Sequence, residues 1–368
     1  MSKRSDYYIN NPVKGIKHPL EEYFSNEILE FHRSLPGYSP TPLLEIGSSF
    51  ASMHSGKIYL KDESRRFSIG AFKSLGASWA IHSFLKQNKG NYTFCTATDG
   101  NHGRAVAWSA KLFGYPAKIF MPEGTVASRI QFIQEESANV KVIKGNYDDA
   151  VNAAKKEAEK KDHILIQDTS WVGYDYYPNL ISAGYSTILK ELETQLNFQH
   201  NQPVDAVILQ SGVGSWAAST ILYFYLFHPN NDIKFIILEP FESDCLLESA
   251  KNRRISETKK SQNTIMAGLN CGTPSLAAWE IISDLAHAFI TVDDSYSVEA
   301  LKILHTSGIK SCESGAAGLG GMLALLNSSK ISPVMKALHL DQNSRFLLFN
   351  TEGITDPVMH DKIVKNQY

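Results

Sequence analysis

The sequence predicts an α/β fold in which mainly parallel strands are flanked by helices. Short runs of apolar and β-branched residues, typical of buried strands, alternate with helical patterns over most of the 368 residues. The connections are short, and this alternation indicates parallel strands joined by crossover helices. The strand patterns lie at residues 57–61, 92–97, 117–122, 140–143, 164–167, 206–210, 235–240 and 345–349. The helical patterns lie at residues 77–85, 103–113, 127–133, 147–160, 178–191 and 216–221, and residues 192–203 are predicted to form a polar linker.

The composition is that of an ordinary globular enzyme rather than a nucleic-acid or membrane protein. Hydrophobic residues make up 43% and charged residues 20% of the chain, and the formal net charge is −2. No apolar run reaches the roughly 18 residues of a transmembrane helix. The N-terminus also lacks the apolar core of a signal peptide. We therefore expect a cytoplasmic protein without a nucleic-acid or membrane partner.

The four cysteines, Cys95, Cys245, Cys271 and Cys312, are widely spaced. This spacing excludes a zinc knuckle, and the sequence contains no other metal-ligand spacing. Buried free thiols are expected in a cytosolic protein. A bridge between Cys245 and Cys271 stays open as an alternative.

A lysine lies where an extended segment meets a helix start. Lys73 follows the strand pattern at residues 57–61 and precedes the apolar helical pattern that begins at Ala77, with Gly70 and Gly76 on its two sides. Glycine lets the backbone approach a ligand closely, and a helix N-terminus attracts an anion. A partly desolvated lysine in such a place loses its proton easily and can act as nucleophile or base. An exposed loop lysine is the alternative interpretation.

Two acidic motifs follow predicted strands at their carboxyl ends. Asp99 and Asn101 lie in an Asp-Gly-Asn turn after the strand pattern at residues 92–97, and Asp168 follows the pattern at residues 164–167. In open α/β sheets, ligands bind at the carboxyl ends of the strands. These positions favour a site, although an Asx turn and a helix N-cap are the structural alternatives.

A glycine-rich turn joins the strand pattern at residues 206–210 to the next helix. Such a turn suits a phosphate, because it offers free backbone N–H groups at the positive end of a helix dipole. It lacks the third glycine of a dinucleotide fingerprint, which excludes a Rossmann nucleotide site. The turn consists of Ser211, Gly212, Val213, Gly214 and Ser215.

In this order, the lysine segment, the asparagine motif and the glycine-rich turn resemble those of the fold-type-II pyridoxal-phosphate enzymes. This family includes the serine/threonine dehydratases, threonine synthase and the tryptophan synthase β-subunit, and the resemblance covers residues 36–356. It implies two open, twisted, mainly parallel sheets, with the cofactor in the cleft between a large and a small domain. The large domain would comprise residues 1–91 and 189–368, and the small domain residues 92–188. A homodimer is also implied.

The resemblance implies roles for single residues. Lys73 would hold pyridoxal 5′-phosphate as a Schiff base, and Asn101 would hydrogen-bond the phenolic oxygen of the cofactor ring. Residues 211–215 would clamp the phosphate. A neutral hydroxyl or thiol after the last strand meets the pyridine nitrogen in this fold type. Thr351 fits this role, and Asn350 is the alternative if the alignment with the family is shifted by one residue.

The Asp-Gly-Asn-His-Gly-Arg version of the asparagine motif is similar to that of the diaminopropionate ammonia-lyases. Related dehydratases carry a serine where this chain has Asp99, and a carboxylate is a much stronger base than a hydroxyl. The Asp-Thr-x-Trp segment from Asp168 would supply the acid that binds the distal amine of the substrate. The resemblance therefore implies elimination of 2,3-diaminopropionate to pyruvate and two ammonia. Lys73 would deprotonate the L isomer and Asp99 the D isomer.

Two other functions stay open from the sequence. A dehydratase of the same fold could act on serine, threonine, D-serine or a hydroxyaspartate, although a hydroxyl leaving group needs no carboxylate partner. A non-catalytic protein could bind pyridoxal phosphate or an amino acid. The joint presence of Lys73, Asn101 and the turn at residues 211–215 argues against that second alternative.

Overall fold

The structure, a computed structural model, describes residues 3–47, 54–198 and 203–368. In these ranges, eleven strands form two sheets and fourteen α-helices flank them. No helix in the described ranges combines the length and apolar character needed to cross a lipid bilayer. The strands are β1 (Ser5–Ile9), β2 (Leu43–Glu45), β3 (Ile58–Asp62), β4 (Thr93–Ala97), β5 (Ala117–Pro122), β6 (Asn139–Ile143), β7 (His163–Leu165), β8 (Ala206–Gln210), β9 (Lys234–Pro240), β10 (Ala288–Val292) and β11 (Phe346–Asn350). The helices are α1 (Glu27–Ser34), α2 (Lys73–Gln87), α3 (Asn101–Leu112), α4 (Ala127–Glu135), α5 (Tyr147–Ala158), α6 (Tyr176–Gly184), α7 (Ser186–Leu196), α8 (Ser215–Phe227), α9 (Cys245–Asn252), α10 (Leu276–Leu285), α11 (Asp294–Thr306), α12 (Glu313–Asn327), α13 (Pro333–Ala337) and α14 (Pro357–Val364).

The larger sheet has seven strands in the order β1-β10-β9-β8-β11-β3-β2. Neighbouring strands from β10 to β3 run parallel, whereas β1 and β2 at the two edges run antiparallel to their neighbours. The central strands β8 and β11 are buried along their whole length, as expected for parallel strands covered on both faces. Their sequences are nearly continuously apolar because both faces of these strands are buried. The prediction of mainly parallel sheets is confirmed.

The smaller sheet has four strands, all parallel, in the order β6-β5-β4-β7. Its strands alternate along the chain with α3, α4 and α5, as the sequence pattern predicts. All four strands lie within residues 92–188, the range predicted for the small domain. The exact division of the chain into two domains stays a prediction.

The prediction of a single helix over residues 178–191 is wrong. Helix α6 ends at Gly184 and α7 begins at Ser186. The break is a tighter turn, because the Tyr185 amide donates to the Ser182 carbonyl at 3.2 Å instead of reaching one residue further back. The break therefore lies within a segment whose composition is helical throughout.

The prediction of a linker over residues 192–203 is also wrong in its first part. Helix α7 continues to Leu196, and residues 199–202 lie outside the described ranges. Leu189, Leu192 and Leu196 are all buried and are spaced three and four residues apart. One face of the helix therefore packs on the core although the segment is polar overall.

Helices α2 and α6 approach each other closely at glycine residues. A Cβ atom on Gly76 would lie 2.7 Å from Ile181 Cγ2, and a Cβ atom on Gly184 would lie 2.7 Å from the Leu75 carbonyl oxygen. Neither distance is compatible with a side chain, so both positions require glycine for this packing. The contact fixes the position of α2, whose first residue is Lys73.

A buried network of charges lies beside the turn that leads from β3 to α2. Glu191 of α7 binds Lys61 of β3 through Oε2 at 2.7 Å and binds Arg66 through Oε1 at 2.7 Å. Arg66 also binds Glu63 Oε2 at 2.8 Å. The four side chains are at most 2% exposed, and two cations balance two carboxylates. The network anchors the segment that precedes Lys73 to α7.

We expect Glu191→Gln to lower the free energy of unfolding by about 3 kcal/mol or more. Removing one partner leaves the buried Lys61 charge without a carboxylate, which is the costly situation for a buried ion pair. Urea unfolding of the variant and the parent protein measures this difference. Glu45→Gln is the matched control, since its pair with Lys57 is half exposed and should contribute less than about 1 kcal/mol. Equal stability of the two variants would contradict the assigned role of the network.

Candidate active site

One cavity lies where the carboxyl ends of strands from both sheets meet. The segments that follow β4, β7, β8 and β11 line it. This is the place where ligands bind in open α/β folds. All ten residues predicted for the site line the cavity: Lys73, Asp99, Asn101, Asp168, Ser211, Gly212, Val213, Gly214, Ser215 and Thr351.

Lys73 is the first residue of α2, four residues before the predicted helix start. The preceding chain turns at Gly70 with φ +62°, and a Cβ there would lie 2.8 Å from the Ser64 carbonyl oxygen. The Lys73 amine donates to Asp168 Oδ2 at 2.7 Å. Burial alone lowers the pKa of Lys73, but the Asp168 carboxylate outweighs it and raises the pKa above the ordinary lysine value.

Asp168 lies three residues beyond the end of β7, and its carboxylate lies near two basic side chains. Its Oδ2 lies 2.7 Å from Lys73 Nζ and 3.7 Å from His102 Nδ1. His102 Nε2 donates to the Ile166 carbonyl at 2.7 Å, because a carbonyl only accepts. Burial raises the pKa of Asp168, but the nearby His102 and Lys73 lower it to about 2. The carboxylate is therefore ionised at neutral pH.

Asp99 and Asn101 occupy the turn between β4 and α3. The Gly100 amide donates to the Thr98 hydroxyl at 2.9 Å, and Asn101 opens α3 directly after the turn. Asp99 is half-buried, and burial raises the pKa of its carboxyl above the ordinary value. The turn thus brings a weakly acidic carboxyl group and an amide to the same cavity as Lys73.

The glycine-rich turn of residues 211–215 leads directly into α8. Gly214 has φ +97°, a backbone conformation that favours glycine. The Ser215 hydroxyl donates to the Asp168 backbone carbonyl at 2.8 Å, which ties the turn to the segment after β7. A helix start such as that of α8 offers free N–H groups that attract an anion, as a phosphate site requires.

The structure favours Thr351 over Asn350 as the residue facing the cavity. The Asn350 amide donates to Asp62 Oδ1 and to the Lys310 carbonyl, both at 2.8 Å, and its oxygen accepts from the Ser311 hydroxyl at 2.7 Å. Its side chain is therefore fully bonded inside the protein. Thr351 lies one residue past the strand and lines the cavity. The contact of Thr351 with a pyridine nitrogen stays a prediction.

Several cavity residues were not predicted as site residues from the sequence. Tyr147 accepts from Gln167 Nε2 at 2.8 Å, and Gln210 donates to the Phe349 carbonyl at 2.8 Å. Their positions at a helix start and a strand end are the only local signals. The further polar residues of the cavity wall include Arg129, Tyr147, Gln210, Cys271 and Glu352.

All four cysteines are free thiols, so the alternative of a bridge between Cys245 and Cys271 is not realised. Cys271 is half-buried and lines the cavity. Its Sγ lies 2.7 Å from the point where a Cβ on Gly212 would be placed. Burial raises the pKa of Cys271 above the ordinary thiol value, so the group is uncharged at neutral pH.

Comparison with known proteins agrees with this geometry. Diaminopropionate ammonia-lyase of Salmonella typhimurium is 36% identical over 93% of this chain and 92% of its own. Serine racemase of Arabidopsis thaliana is 29% identical over 83% of this chain and 87% of its own. The crystal structure of Escherichia coli diaminopropionate ammonia lyase in complex with an aminoacrylate-PLP azomethine reaction intermediate superposes with a TM-score of 0.90. It is 34% identical and covers 100% of this chain and 98% of that one.

The family described as "Pyridoxal-phosphate dependent enzyme" matches residues 35–337. This range is most of the chain and includes the lysine segment, both acidic motifs and the glycine-rich turn. The match and the similarity to full-length relatives agree with the fold-type-II architecture expected from the sequence. The chain belongs to the family of pyridoxal-phosphate-dependent enzymes.

Proposed function

We propose that the protein catalyses the α,β-elimination of 2,3-diaminopropionate, in both its D and L forms, to pyruvate and two molecules of ammonia. The observation that carries this proposal is the meeting of Lys73, Asp99 and Asp168 in one cavity. One amine and two carboxylates suit a substrate with two amino groups, because a cation needs an anionic partner. The similarity to relatives named for this activity supports the same function.

The cavity fits pyridoxal 5′-phosphate at the glycine-rich turn. A Cβ on Gly212 would lie 2.7 Å from Cys271 Sγ, and one on Gly214 would lie 2.8 Å from Ile282 Cδ1. A side chain at residue 212 would require Cys271 to move, and the φ of +97° at residue 214 favours glycine there. Glycine at these two positions leaves the adjacent backbone amides accessible to a phosphate group.

Four features of the chain would hold the cofactor. The amine of Lys73 would bond to its carbonyl carbon, and residues 211–215 would bind its phosphate. Asn101 would donate to its phenolic oxygen, and Thr351 would meet its pyridine nitrogen. When bound, pyridoxal phosphate withdraws electrons from the amino acid joined to it and makes the α-proton removable.

The chain supplies a base for each isomer of the substrate. We assign the α-proton of the L isomer to Lys73 and that of the D isomer to Asp99. The two configurations present this proton on opposite faces of the substrate, so a single side chain would serve both poorly. A carboxylate of raised pKa accepts a proton more readily than an ordinary one, which suits Asp99 to this role.

Asp168 would bind the β-amino group of the substrate. Its carboxylate is ionised and already accepts a hydrogen bond from the Lys73 amine at 2.7 Å, so it can pair with a second ammonium group. The β-amino group leaves as ammonia when the bond from nitrogen to Cβ breaks, because it is protonated at that point. The site needs no further group, since the released enamine hydrolyses in water to pyruvate and the second ammonia.

Subunit number and compartment are also proposals. A homodimer is what the family resemblance implies. The cytoplasm suits four free thiols, because that compartment keeps thiols reduced.

The first test is the release of 2-oxo acid from purified protein supplied with pyridoxal 5′-phosphate. We expect pyruvate from both isomers of diaminopropionate, with kcat/KM above that for D- or L-serine by about 10- to 100-fold. A hydrogen bond to a charged group contributes about 1.5–3 kcal/mol, and serine lacks the β-ammonium group that would make it with Asp168. Preference for serine, or for L-threonine with 2-oxobutyrate as product, would favour the dehydratase alternative. A change in cofactor absorption without any 2-oxo acid would favour the non-catalytic alternative.

We expect Asp99→Asn to lose activity on the D isomer by about 10²–10⁴-fold, because the amide cannot accept the α-proton. Activity on the L isomer should stay close to that of the parent protein, since Lys73 is unchanged. Steady-state kinetics on the two isomers measures the ratio directly, and the L isomer serves as the internal control. A similar loss on both isomers would remove Asp99 from the role of D-specific base.

We expect Gly212→Ala to weaken cofactor binding by about tenfold or more, because the new Cβ collides with Cys271 Sγ and displaces the turn. Dialysis followed by absorbance of the retained pyridoxal phosphate measures the loss. Gly272→Ala is the matched control, since its nearest neighbour is the flexible Gln262 side chain at 3.2 Å. The double variant Gly212→Ala with Cys271→Ala should recover part of the affinity. Full retention in Gly212→Ala would exclude this turn as the phosphate site.

A further inference from the structure

Arg129 lies in the cavity wall and has no part in the reaction described above. It belongs to α4, beside the turn that carries Asp99. Its Nη1 donates to the Asp99 backbone carbonyl at 3.5 Å, and its Cδ lies 3.7 Å from the point where a Cβ on Gly100 would be placed. The guanidinium group is therefore held against the Asp99–Gly100 peptide.

Arg129 pairs with no carboxylate at close range. In the described part of the chain, no carboxylate lies within 4 Å of its guanidinium group, and the buried carboxyls of Glu352 and Glu313 interact with its charge at longer range. The adjacent Ser128 hydroxyl donates to the Thr355 carbonyl at 3.2 Å, which ties the start of α4 to the segment after β11. The positive charge of Arg129 therefore lies at the cavity wall, on a helix whose start is tied to a second wall segment.

Several ionisable groups surround the Asp99 carboxyl. Burial raises the pKa of Asp99, the charges of Arg129 and then Lys73 lower it, and the Asp168 carboxylate raises it. Three further groups interact electrostatically with the Asp99 carboxyl: the uncharged Tyr147 and Cys271, and the carboxyl of Glu352. The ionisation of Asp99 therefore depends on the cations beside it.

The charges of Lys73 and Arg129 differ in how long they persist during the reaction. Lys73 must give up its charge to act as a nucleophile or base, so its support for the Asp99 carboxylate ends when the reaction begins. An arginine keeps its charge at every pH at which the protein is folded. Among the groups named above, only Arg129 offers a lasting positive charge to Asp99.

We propose that Arg129 is a positioning residue for the D isomer, whose fixed charge keeps the Asp99 carboxyl ionised and able to accept the α-proton. This inference rests on the proposed function, in which Asp99 is the base for that isomer. The reaction of the L isomer uses Lys73 and does not need an ionised Asp99. Arg129 would thus affect which isomer is used without contacting either one.

The test compares Arg129→Met, Arg129→Gln and Arg129→Lys with the parent holoenzyme in pH profiles of kcat/KM. For the Met and Gln variants, we expect the acidic limb of the D-isomer profile to move up by about one pH unit, because an opposite charge nearby lowers a carboxyl pKa by about 1–3 units. The L-isomer limb should not move, and Arg129→Lys should resemble the parent. Lys141→Met is the matched control, since Lys141 is an exposed cation of β6.

A direct titration separates this inference from the proposed function. The carboxyl ¹³C signal of Asp99, identified by its loss in Asp99→Asn, reports the pKa of the group without substrate. A higher pKa in Arg129→Met than in the parent supports the inference, and an unchanged pKa overturns it. Equal loss on both isomers with unmoved pH limbs also overturns it. Failure of the parent protein to release pyruvate from either isomer would instead overturn the proposed function and, with it, the role of Arg129 in isomer use.

Discussion

The ion pair between Lys73 and Asp168 is the interaction on which the cavity depends. Lys73 begins a helix that follows a strand of the larger sheet, and Asp168 follows a strand of the smaller sheet. Their 2.7 Å contact joins the two sheets at one point, and the bond from Ser215 to the Asp168 carbonyl adds the glycine-rich turn. Each charge stabilises the other here, because a largely buried charge is more favourable with an opposite partner than without one.

Two kinds of contact, outside the cavity, determine the position of Lys73. The glycines at residues 76 and 184 let α2 and α6 touch backbone to backbone, and the ion pairs of Glu191 hold the preceding turn. One contact is apolar and requires the absence of side chains, while the other requires four charges in balance. Together they support the start of α2, from which the Lys73 side chain reaches the cavity.

The sequence predicts those features that depend on local pattern. Parallel strands produce continuous apolar runs, and their carboxyl ends mark the cavity, so Asp99 and Asp168 could be found from the sequence. The break at Tyr185 could not, because a single tight turn leaves no trace in a helical composition. Arg129 and Asp99 are 30 residues apart in the sequence, and no local pattern predicts that they come into contact. The choice between Asn350 and Thr351 was open because neighbouring residues of a strand face opposite sides.

In its proposed role, Lys73 would be a tethered reactant, because it begins a helix that is closely packed against α6 and follows an ion-paired turn. The amine would sample only the small volume that its four methylene groups can sweep. Within that volume its effective concentration toward a bound partner far exceeds any that a free amine could reach in water, and tethering of this kind corresponds to roughly 10⁵–10⁸ M in well-oriented systems. In the proposed reaction, this tether would let the amine leave and return to the same carbon without a search, which a lysine on a loose loop could not do.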